Sequence, residues 1–501
     1  MKNRIVLLIF FAAVFLVIIS CRQGNNKEKE GFTNGIMVTK EIADTMDIGI
    51  GWNEATVLEG RWPERNFTPE EWDRYFGLME WSGCHWLRHA VSITDWEPVN
   101  DNKDPSHTDW SRFTFHSPQM QRHFLFLDQA EKRNIKVLLT NWRLGAKWLA
   151  KDPADRELGH PASNDEFAES LAALVYYLKV VKKYNCIWAL SLWNEPNGDW
   201  AYKGAGAFYP ESFWPLYIAV DKQLRRLGVR DKILLLGPDT STGGRPEPIR
   251  QMLAKYGPVV DVVCDHDYSA YRGESMDSSV AAYSRLIRGL RNVRGRRLPF
   301  VIGEFGNYGN GSGPVDRDDS VYNGALSTTA YLLRMLNAGA SGLARWEFLI
   351  YGNRWRNFGA LTGTDPDYLF KPYGPVYYPH AITARYIRPG WRVMQLNTVK
   401  PVKGIYASAL TSLDSDLTIM LINDNQAPVT LPLEVEVPLK VPAMHRLSVT
   451  GPVPEGINQL TDVKLNNGSA VLDLPARSFT TLTTLDPGDL ELPGRLALNK
   501  K

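Results

Sequence analysis

The sequence has 501 residues, which is long for one hydrophobic core and predicts two domains. It contains 57 Lys and Arg against 55 Asp and Glu, a formal net charge of +2, and so lacks the electrostatic footprint of a nucleic-acid-binding protein. A content of 44% hydrophobic and 22% charged residues predicts an ordinary globular fold.

The N-terminal 21 residues differ in character from the rest of the chain. A basic start precedes an apolar run over residues 5–19 and the ending Ser20-Cys21. The segment resembles a bacterial lipoprotein signal, which implies lipidation of Cys21 and attachment to the bacterial cell envelope through lipid only. The alternative is a transmembrane anchor, but the run falls short of the roughly 18–20 apolar residues that a span needs. Residues 22–45 are then expected to form a tether.

From Asp47 onward, short apolar runs alternate with amphipathic helical stretches, a pattern typical of a parallel sheet wrapped by helices. Eight such runs can be counted, and eight is the number of strands in a closed (β/α)8 TIM barrel. We therefore predict an α/β barrel domain over residues 46–390. Its strands are expected at Asp47–Asn53, His85–Val91, Lys136–Trp142, Ile187–Glu195, Ile233–Asp239, Asp261–Tyr268, Pro299–Phe305 and Gly342–Phe348.

The predicted helices carry start signals of their own. Thr68-Pro69-Glu70-Glu71 supplies a capping hydroxyl, a proline at the first helical position and a capping-box glutamate. Ser163-Asn164-Asp165-Glu166 repeats the box, and Ser117-Pro118 opens a third helix.

Beyond Pro389-Gly390 the pattern changes to short runs with a period of two, separated by Asn, Asp, Gly and Pro turns. This texture predicts a β-sandwich domain over residues 391–487, followed by a tail over 488–501. The domain either supports the barrel or binds sugar. Few aromatic residues lie in its strands, which favours support.

Two apolar strands end in a glutamate. Ser191-Leu192-Trp193-Asn194-Glu195-Pro196 closes the fourth run, and Pro299-Phe300-Val301-Ile302-Gly303-Glu304-Phe305-Gly306 contains the seventh. In a barrel both strand ends lie on the C-terminal rim, where barrel enzymes keep their chemistry. Two carboxyl groups that flank one bond are what the hydrolysis of a glycosidic bond requires. Each glutamate alone would be read as a solvated loop residue, but the two together indicate a carboxylate pair.

Asn-Glu-Pro followed by apolar-Gly-Glu-Phe-Gly resembles the retaining glycoside hydrolases of clan A, and family 5 in particular. The resemblance covers roughly residues 47–390. It implies that Glu195 is the general acid/base and Glu304 the nucleophile. It also implies that Asn194 hydrogen-bonds the 2-hydroxyl of the sugar.

The same resemblance assigns substrate-binding roles to four further residues. Arg88, in Trp86-Leu87-Arg88, would bond the nucleophile and keep it ionised. Tyr268, in Asp265-His266-Asp267-Tyr268, would orient the nucleophile, while His266 would lie near the acid/base or serve a structural role. Trp346, in Ala344-Arg345-Trp346-Glu347, would form the floor of the subsite before the cleaved bond.

One position departs from the family pattern. Family 5 usually has a histidine near the end of the third strand, where this chain has Asn141. Asn141 can still hydrogen-bond a sugar hydroxyl, so it stays a predicted substrate-binding residue. This departure weakens the case for family 5 as opposed to a related family of the same clan.

Several classes of site are missing from the sequence. No metal-type spacing, glycine-rich phosphate loop or Gly-x-Ser-x-Gly elbow occurs, so no metal site and no cofactor are predicted. Five further tryptophans could line a cleft or pack in the core: Trp52, Trp96, Trp142, Trp200 and Trp355.

Three hypotheses follow. The first is a lipid-anchored retaining β-glycoside hydrolase that acts on a polysaccharide or oligosaccharide, with endo action favoured. The second is an exo-acting β-glycosidase on oligosaccharides, because long insertions could close a cleft into a pocket. The third is a non-catalytic glycan-binding surface lipoprotein, which the intact acid and nucleophile argue against. The sugar, the linkage and the oligomeric state stay open.

Overall fold

The computed structural model describes residues 35–54, 67–142, 145–152, 160–198, 213–269, 276–306, 318–350, 359–362, 370–398 and 402–493. The predicted lipoprotein signal with Cys21 lies outside the described residues, as do Trp200 and Trp355.

Eight parallel strands form a closed barrel. They follow strand β1 (Ile36–Met46), and each pairs with the next, while the last pairs with the first. The barrel strands lie within or within two residues of the eight apolar runs, and the predicted (β/α)8 fold class is confirmed. They are β2 (Gly49–Glu54), β3 (Trp86–Val91), β4 (Lys136–Asn141), β5 (Ile187–Ser191), β6 (Leu234–Ser241), β7 (Val262–His266), β8 (Phe300–Phe305) and β9 (Gly342–Arg345).

The interior of the barrel is a packed apolar core. Successive residues of a strand point to opposite faces, so alternate side chains point inward and the others point toward the helices. Trp86 is the largest inward residue, and its indole N–H donates to the Gly49 carbonyl at 2.9 Å. Because the centre is filled, polar groups with a chemical role must collect at the rim. The inward set is Trp86, Leu138, Ala189, Leu236, Val262, Cys264, Val301 and Ala344.

Helices connect the strands and cover the barrel. The described ones are α1 (Pro69–Trp81), α2 (Pro118–Lys132), α3 (Asn164–Tyr176), α4 (Trp214–Arg226), α5 (Glu247–Tyr256), α6 (Met276–Leu290), α7 (Asp318–Asn337) and α8 (Gly374–Ala384).

The capping signals form to different extents. At α1 the predicted box is complete, because Thr68 Oγ1 accepts from the Glu71 N–H and Glu71 Oε2 accepts from the Thr68 N–H at 2.8 Å. At α3 the Ser163 hydroxyl accepts from the Glu166 N–H, but Glu166 Oε2 accepts from Asn100 Nδ2 at 3.1 Å. The side chain of Glu166 is therefore drawn to a loop between β3 and α2.

Shorter and longer strands follow the barrel. Three two-residue strands form a small sheet: β10 (Leu349–Ile350), β11 (Leu361–Thr362) and β12 (Lys371–Pro372). The C-terminal strands are β13 (Trp391–Thr398), β14 (Ile405–Thr411), β15 (Leu417–Asn423), β16 (Val429–Val435), β17 (Ala443–Thr450), β18 (Asn458–Lys464), β19 (Ser469–Leu474) and β20 (Ser478–Thr483).

The C-terminal strands and β1 make one nine-stranded sheet in the order β18-β17-β20-β15-β14-β13-β1-β16-β19. Leucines of β16 and β19 share an apolar core with Met444 of β17 and Leu482 of β20, so the two ends of the sheet fold over each other as a sandwich. The predicted barrel-plus-sandwich architecture is confirmed.

The expected tether differs from the structure at its C-terminal end. Residues 36–45 lie in β1, which pairs with β13 along one edge and with β16 along the other. Ile36 and Val38 are buried in the sandwich core, and this burial holds the segment in place. The N-terminal strand thus completes a domain whose other strands come from the far end of the chain.

The two domains share a continuous apolar core that includes Phe479 of β20 and Tyr322 of α7. Hydrogen bonds also cross the boundary: Thr481 Oγ1 donates to the Ile382 carbonyl at 2.8 Å, and Thr418 Oγ1 to the Tyr386 carbonyl at 2.6 Å. Among the residues described, no helix is both long enough and apolar enough to cross a membrane.

Candidate active site

Glu195 and Glu304 face each other across the C-terminal rim. Glu304 is the fifth residue of β8, and Glu195 lies four residues beyond the end of β5. Glu195 adopts a positive φ of 51°, and its N–H donates to the Asp239 carbonyl at 2.9 Å. One carboxylate oxygen of each glutamate and one ring nitrogen of His266 all lie within 4.8 Å of one another. The fold therefore brings together the two carboxyl groups that the sequence predicts as a pair.

Arg88 of β3 is the buried cation beneath this pair. Its Nη1 donates to Glu304 Oε1 at 2.7 Å, and its Nη2 donates to Asn194 Oδ1 at 2.7 Å and to Asp239 Oδ2 at 2.8 Å. The predicted contact between Arg88 and Glu304 is present. One guanidinium therefore holds an oxygen of Glu304, of Asn194 and of Asp239 at fixed positions relative to one another.

Asp239 is a site residue that the sequence analysis did not single out. It lies in β6, two residues before the strand ends, and is fully buried. It accepts from Arg88, from Ser191 Oγ at 2.7 Å and from His266 Nε2 at 2.9 Å. Burial would raise the pKa of Asp239, but Arg88 and His266 hold it well below its usual range. The sequence does carry a signal for this residue, because an aspartate follows the apolar run Leu234-Leu235-Leu236-Gly237-Pro238 where a barrel strand is predicted to end.

His266 of β7 connects three carboxylates. Its Nδ1 lies 2.9 Å from Glu195 Oε1 and 3.6 Å from Glu304 Oε2, while Nε2 lies 2.9 Å from Asp239 Oδ1. Burial alone would lower the pKa of His266, but the charges of Glu304 and Asp239 raise it well above its usual value. As an imidazolium it donates from both nitrogens, so His266 belongs to the site and not merely to the barrel framework.

Gly303 makes room for this histidine. A Cβ atom at position 303 would lie 2.6 Å from Cys264 Sγ, 3.1 Å from His266 Nε2 and 3.2 Å from Asp239 Oδ1. The glycine that precedes Glu304 therefore allows the bond between His266 and Asp239 to form beside β8.

Glu304 is held by two donors on opposite oxygens. Arg88 binds Oε1, and the Tyr268 hydroxyl donates to Oε2 at 2.8 Å. Burial raises the pKa of the Glu304 carboxyl, and the negative charge of Glu195 raises it further. The positive charges of His266 and Arg88 lower it. The two glutamates are thus coupled and titrate as a pair.

An aromatic wall lies beside the acidic groups. Trp346, half-buried just beyond β9, stacks on Trp142 with ring centroids 5.8 Å apart and an interplanar angle of 25°. The Arg88 guanidinium carbon lies 5.3 Å from the centre of the Trp142 ring. By contrast, Trp52 and Trp96 are fully buried and pack in the core.

Asn141 ends β4 next to this wall. Its Nδ2 donates to the Leu192 carbonyl at 3.2 Å, whereas its buried Oδ1 has no hydrogen-bond partner within the part of the chain that the structure describes. A buried acceptor without a donor is costly, so this oxygen is suited to receive a hydroxyl group of a bound ligand.

Three groups of side chains could in principle hold a metal ion among the described residues: Asp239, Cys264 and His266; Glu195, His266 and Glu304; and Asp101, Glu166 and Glu169. The first two groups include His266, which is cationic here, and both contact Arg88. Two positive charges already compensate those carboxylates, which disfavours a further cation there. The third group lies apart from the site.

Neither a family model nor a curated protein matches the sequence. Solved structures do match the fold. A glycoside hydrolase family 30 subfamily 8 xylanase from Clostridium acetobutylicum is 16% identical, with a TM-score of 0.65 over 90% of this chain and 99% of that one. A family 30 endoxylanase from Clostridium papyrosolvens C71 is also 16% identical, with a TM-score of 0.66 over 90% and 99%.

A family 39 β-xylosidase from Caulobacter crescentus is 14% identical, with a TM-score of 0.58 over 89% of this chain and 99% of that one. At these identities the likeness establishes the fold, a barrel joined to a β-sandwich as in clan A glycoside hydrolases.

Proposed function

We propose that the protein is a retaining β-glycoside hydrolase, with Glu195 as general acid/base and Glu304 as nucleophile. One observation carries the proposal: a carboxylate oxygen of each glutamate lies within 4.8 Å of the other, and both lie within that distance of one His266 nitrogen. Retaining enzymes hold the two carboxyl groups about 5–5.5 Å apart, whereas inverting enzymes need about 6.5–9.5 Å to admit a water molecule. The spacing therefore favours direct attack by one carboxylate.

The reaction proceeds in two displacements. Glu304 attacks the anomeric carbon while Glu195 gives its proton to the leaving oxygen, so that the glycosidic bond breaks and a glycosyl ester on Glu304 forms. Glu195 then takes a proton from water, whose oxygen attacks the anomeric carbon and releases Glu304. Two inversions leave the β configuration unchanged.

The charges around the pair are consistent with these roles. Arg88 and the His266 imidazolium face three carboxylates, those of Glu195, Glu304 and Asp239. One negative charge is then uncompensated, and a single proton on the glutamate pair removes it. Burial raises the pKa of Glu304, but Arg88 and Tyr268 both donate to its carboxylate. We therefore assign the negative charge to Glu304 and the proton to Glu195.

The remaining predicted residues fit a sugar in the first subsite. Arg88 occupies the amide oxygen of Asn194, which leaves the amide N–H groups to meet a hydroxyl of the substrate. The Trp142–Trp346 stack offers a flat apolar surface to a sugar ring, and Asn141 Oδ1 offers an acceptor. Asn141 stands where the family 5 pattern would supply a histidine.

The proposed substrate class is a β-linked polysaccharide or oligosaccharide, with endo action. Because endoxylanases and a β-xylosidase share this fold, the fold alone is compatible with either mode. A screen of purified protein against β-linked glucans, mannans, xylans and galactans, with product sizing, tests the mode directly. A ladder of products indicates endo action, whereas a single small sugar indicates exo action and would contradict this part of the proposal.

Azide rescue tests the two roles separately. Glu195→Ala should affect substrates with poor leaving groups most, and azide should partly restore turnover with a β-glycosyl azide as product. Glu304→Ala should abolish turnover of every substrate, and azide should yield the α-glycosyl azide. Glu455→Ala changes an exposed glutamate of the β-domain and should turn over normally. Equal activity of all three variants would contradict the assignment, whereas an unmodified protein that binds a glycan without turning it over would favour a glycan-binding role.

We also propose that the mature protein is anchored through lipid on Cys21. The support is the sequence of the N-terminal segment alone. A Cys21→Ser variant should leave the membrane fraction. If it stays membrane-bound after an alkaline wash, an uncleaved anchor is the better account.

A further inference from the structure

The end of β7 and the residues that follow it present side chains alternately to the active site and to the helices. Cys264 points into the barrel, and His266 and Tyr268 contact the carboxylate pair. Asp265 and Asp267 alternate with them and accept hydrogen bonds from helix residues. This alternation is the ordinary period of a strand. The proposed reaction uses His266 and Tyr268, whereas Asp267 has no role in it so far.

Asp267 connects the end of β7 to two helices. Its side chain is buried, and its Oδ1 accepts from the Ser269 N–H at 2.9 Å. Its Oδ2 accepts from the Ser269 hydroxyl at 3.0 Å, from the Tyr331 hydroxyl at 2.7 Å and from the Ser279 hydroxyl. Ser279 belongs to α6 and Tyr331 to α7. One carboxylate therefore gathers donors from three segments of the chain.

These contacts enclose Tyr268 in the sequence. Asp267 precedes it and Ser269 follows it, and the bond from the Ser269 N–H to Asp267 Oδ1 closes a local turn whose middle residue is Tyr268. The backbone of Tyr268 is thus held on both sides by the Asp267 carboxylate. Its hydroxyl donates to Glu304 Oε2 at 2.8 Å.

The same network also reaches the strand of Glu304. The Asp267 N–H donates to the Glu304 carbonyl at 2.9 Å. The ring of Tyr331, which binds the Asp267 carboxylate, lies against Phe305, the residue after Glu304, with ring centroids 6.2 Å apart. Asp267 is therefore linked to both partners of the hydrogen bond between Tyr268 and Glu304.

We propose that Asp267 is a positioning residue, which holds the Tyr268 hydroxyl against Glu304 Oε2. The inference rests on the proposed function, because it concerns the nucleophile of that reaction. A tyrosine side chain turns about only two bonds, so a fixed backbone largely decides where its hydroxyl lies. The carboxylate of Asp267 faces the helices and acts through Tyr268 without contact to the substrate.

The pKa of Glu304 reports on this hydrogen bond without any need for turnover. It can be measured by NMR titration of protein labelled with ¹³C-glutamate, with Glu304→Gln to assign the signal. Tyr268→Phe should raise this pKa, because the carboxylate loses a donor. Asp267→Asn should also raise it, and should add little in a Tyr268→Phe background. A purely structural role of Asp267 would lower the melting temperature and leave the pKa of Glu304 unchanged.

A similar bond elsewhere in the barrel serves as the control. Asp128 Oδ1 accepts from the Tyr184 hydroxyl at 2.6 Å, and Tyr184 lies three residues before β5, at the end of the barrel opposite the rim. Asp128→Asn should leave the pKa of Glu304 unchanged. If Asp267→Asn does not accumulate, Tyr331→Phe removes one donor from Asp267 and should give a smaller rise. An unchanged pKa in the Asp267 or Tyr331 variant, or equal rises with and without the Tyr268 hydroxyl, would overturn the proposal.

Kinetics separate this inference from the proposed reaction. On a substrate that the unmodified enzyme turns over, Asp267→Asn should lower kcat/KM by about tenfold to a hundredfold, chiefly through kcat. The loss should shrink in a Tyr268→Phe background, and additive losses would contradict a role through Tyr268. If no β-linked substrate is turned over, the proposed reaction fails, and the titration still decides whether Asp267 positions Tyr268.

Discussion

Asp239 shows how one buried charge organises the site at the scale of a residue. Its carboxylate binds Arg88 and His266, and these two residues contact Glu304 and Glu195 in turn. Asp239 can affect catalysis without contacting the substrate. It is a positioning residue that fixes both cations and, through them, both glutamates.

We expect Asp239→Asn to reduce kcat/KM by about two orders of magnitude, since small displacements of reacting groups have effects of that size. It should also lower the free energy of unfolding by about 3–5 kcal/mol, because Arg88 loses a buried partner. Ser191→Ala is the matched control. It removes one hydrogen bond to the same carboxylate and should cost about 1 kcal/mol with little change in activity.

The pH profile distinguishes positioning from mere stability. Asp239 raises the pKa of His266 in the folded protein. The stability that the ion pair contributes is therefore fully present below the pKa of an unfolded histidine, and it is lost as the pH rises through the pKa of His266 in the folded protein. In Asp239→Asn the basic limb of kcat/KM should therefore move to lower pH. If activity falls and the basic limb stays where it is, the positioning role is wrong.

The residues of the site were predicted to different degrees for a physical reason. Glu195 and Glu304 stand in local motifs, but Asp239 gains its role from Arg88, 151 positions away, and from His266. A lone aspartate after Gly-Pro resembles a turn residue. Arg88 and His266 come into contact with Asp239 only when the barrel has formed.

At the scale of an element, local signals were the most informative. The Thr68–Glu71 box begins α1, and α1 places Trp72 and Tyr75 in the core. By contrast, the sequence predicted a tether where the structure has β1. The partners of β1 are remote in sequence, and Thr39 Oγ1, for example, donates to the Gln395 carbonyl, 356 positions away. Pairing over such a distance leaves no local pattern to detect.

Thr68→Ala should lower the free energy of unfolding by about 1 kcal/mol, because the Glu71 N–H loses its acceptor. Chemical denaturation with activity as a second readout measures the effect. Thr68→Ser keeps the hydroxyl and should retain nearly all of the stability. Equal losses in both variants would show that the cap itself contributes nothing.

At the scale of the whole molecule, the barrel and the β-sandwich are joined by a common core. Phe479 is 2% exposed and meets Tyr322 edge-on, with ring centroids 5.7 Å apart, and the Tyr322 hydroxyl donates to the Arg477 carbonyl at 2.7 Å. None of the candidate catalytic groups lies in the sandwich. We therefore propose that the domain supports the barrel that carries them.

Phe479→Ala should lower the free energy of unfolding by about 3–5 kcal/mol through the cavity it leaves. Calorimetry should show one transition that moves as a whole, with activity lost at the same temperature. Val471→Ala, at an exposed valine of β19, should change stability by no more than about 0.5 kcal/mol. Two separate transitions, with only the smaller one shifted by Phe479→Ala, would contradict a shared core.

The stereochemistry of the first product tests the central claim most directly. The roles proposed for Glu195 and Glu304, which bring one carboxylate oxygen of each within 4.8 Å of the other, predict a glycosyl ester and net retention. Proton NMR of the unmodified enzyme with a β-linked substrate should show the β-anomer first, and the α-anomer should grow in only later by mutarotation. Release of the α-anomer as the first product would contradict the double displacement and the role assigned to Glu304.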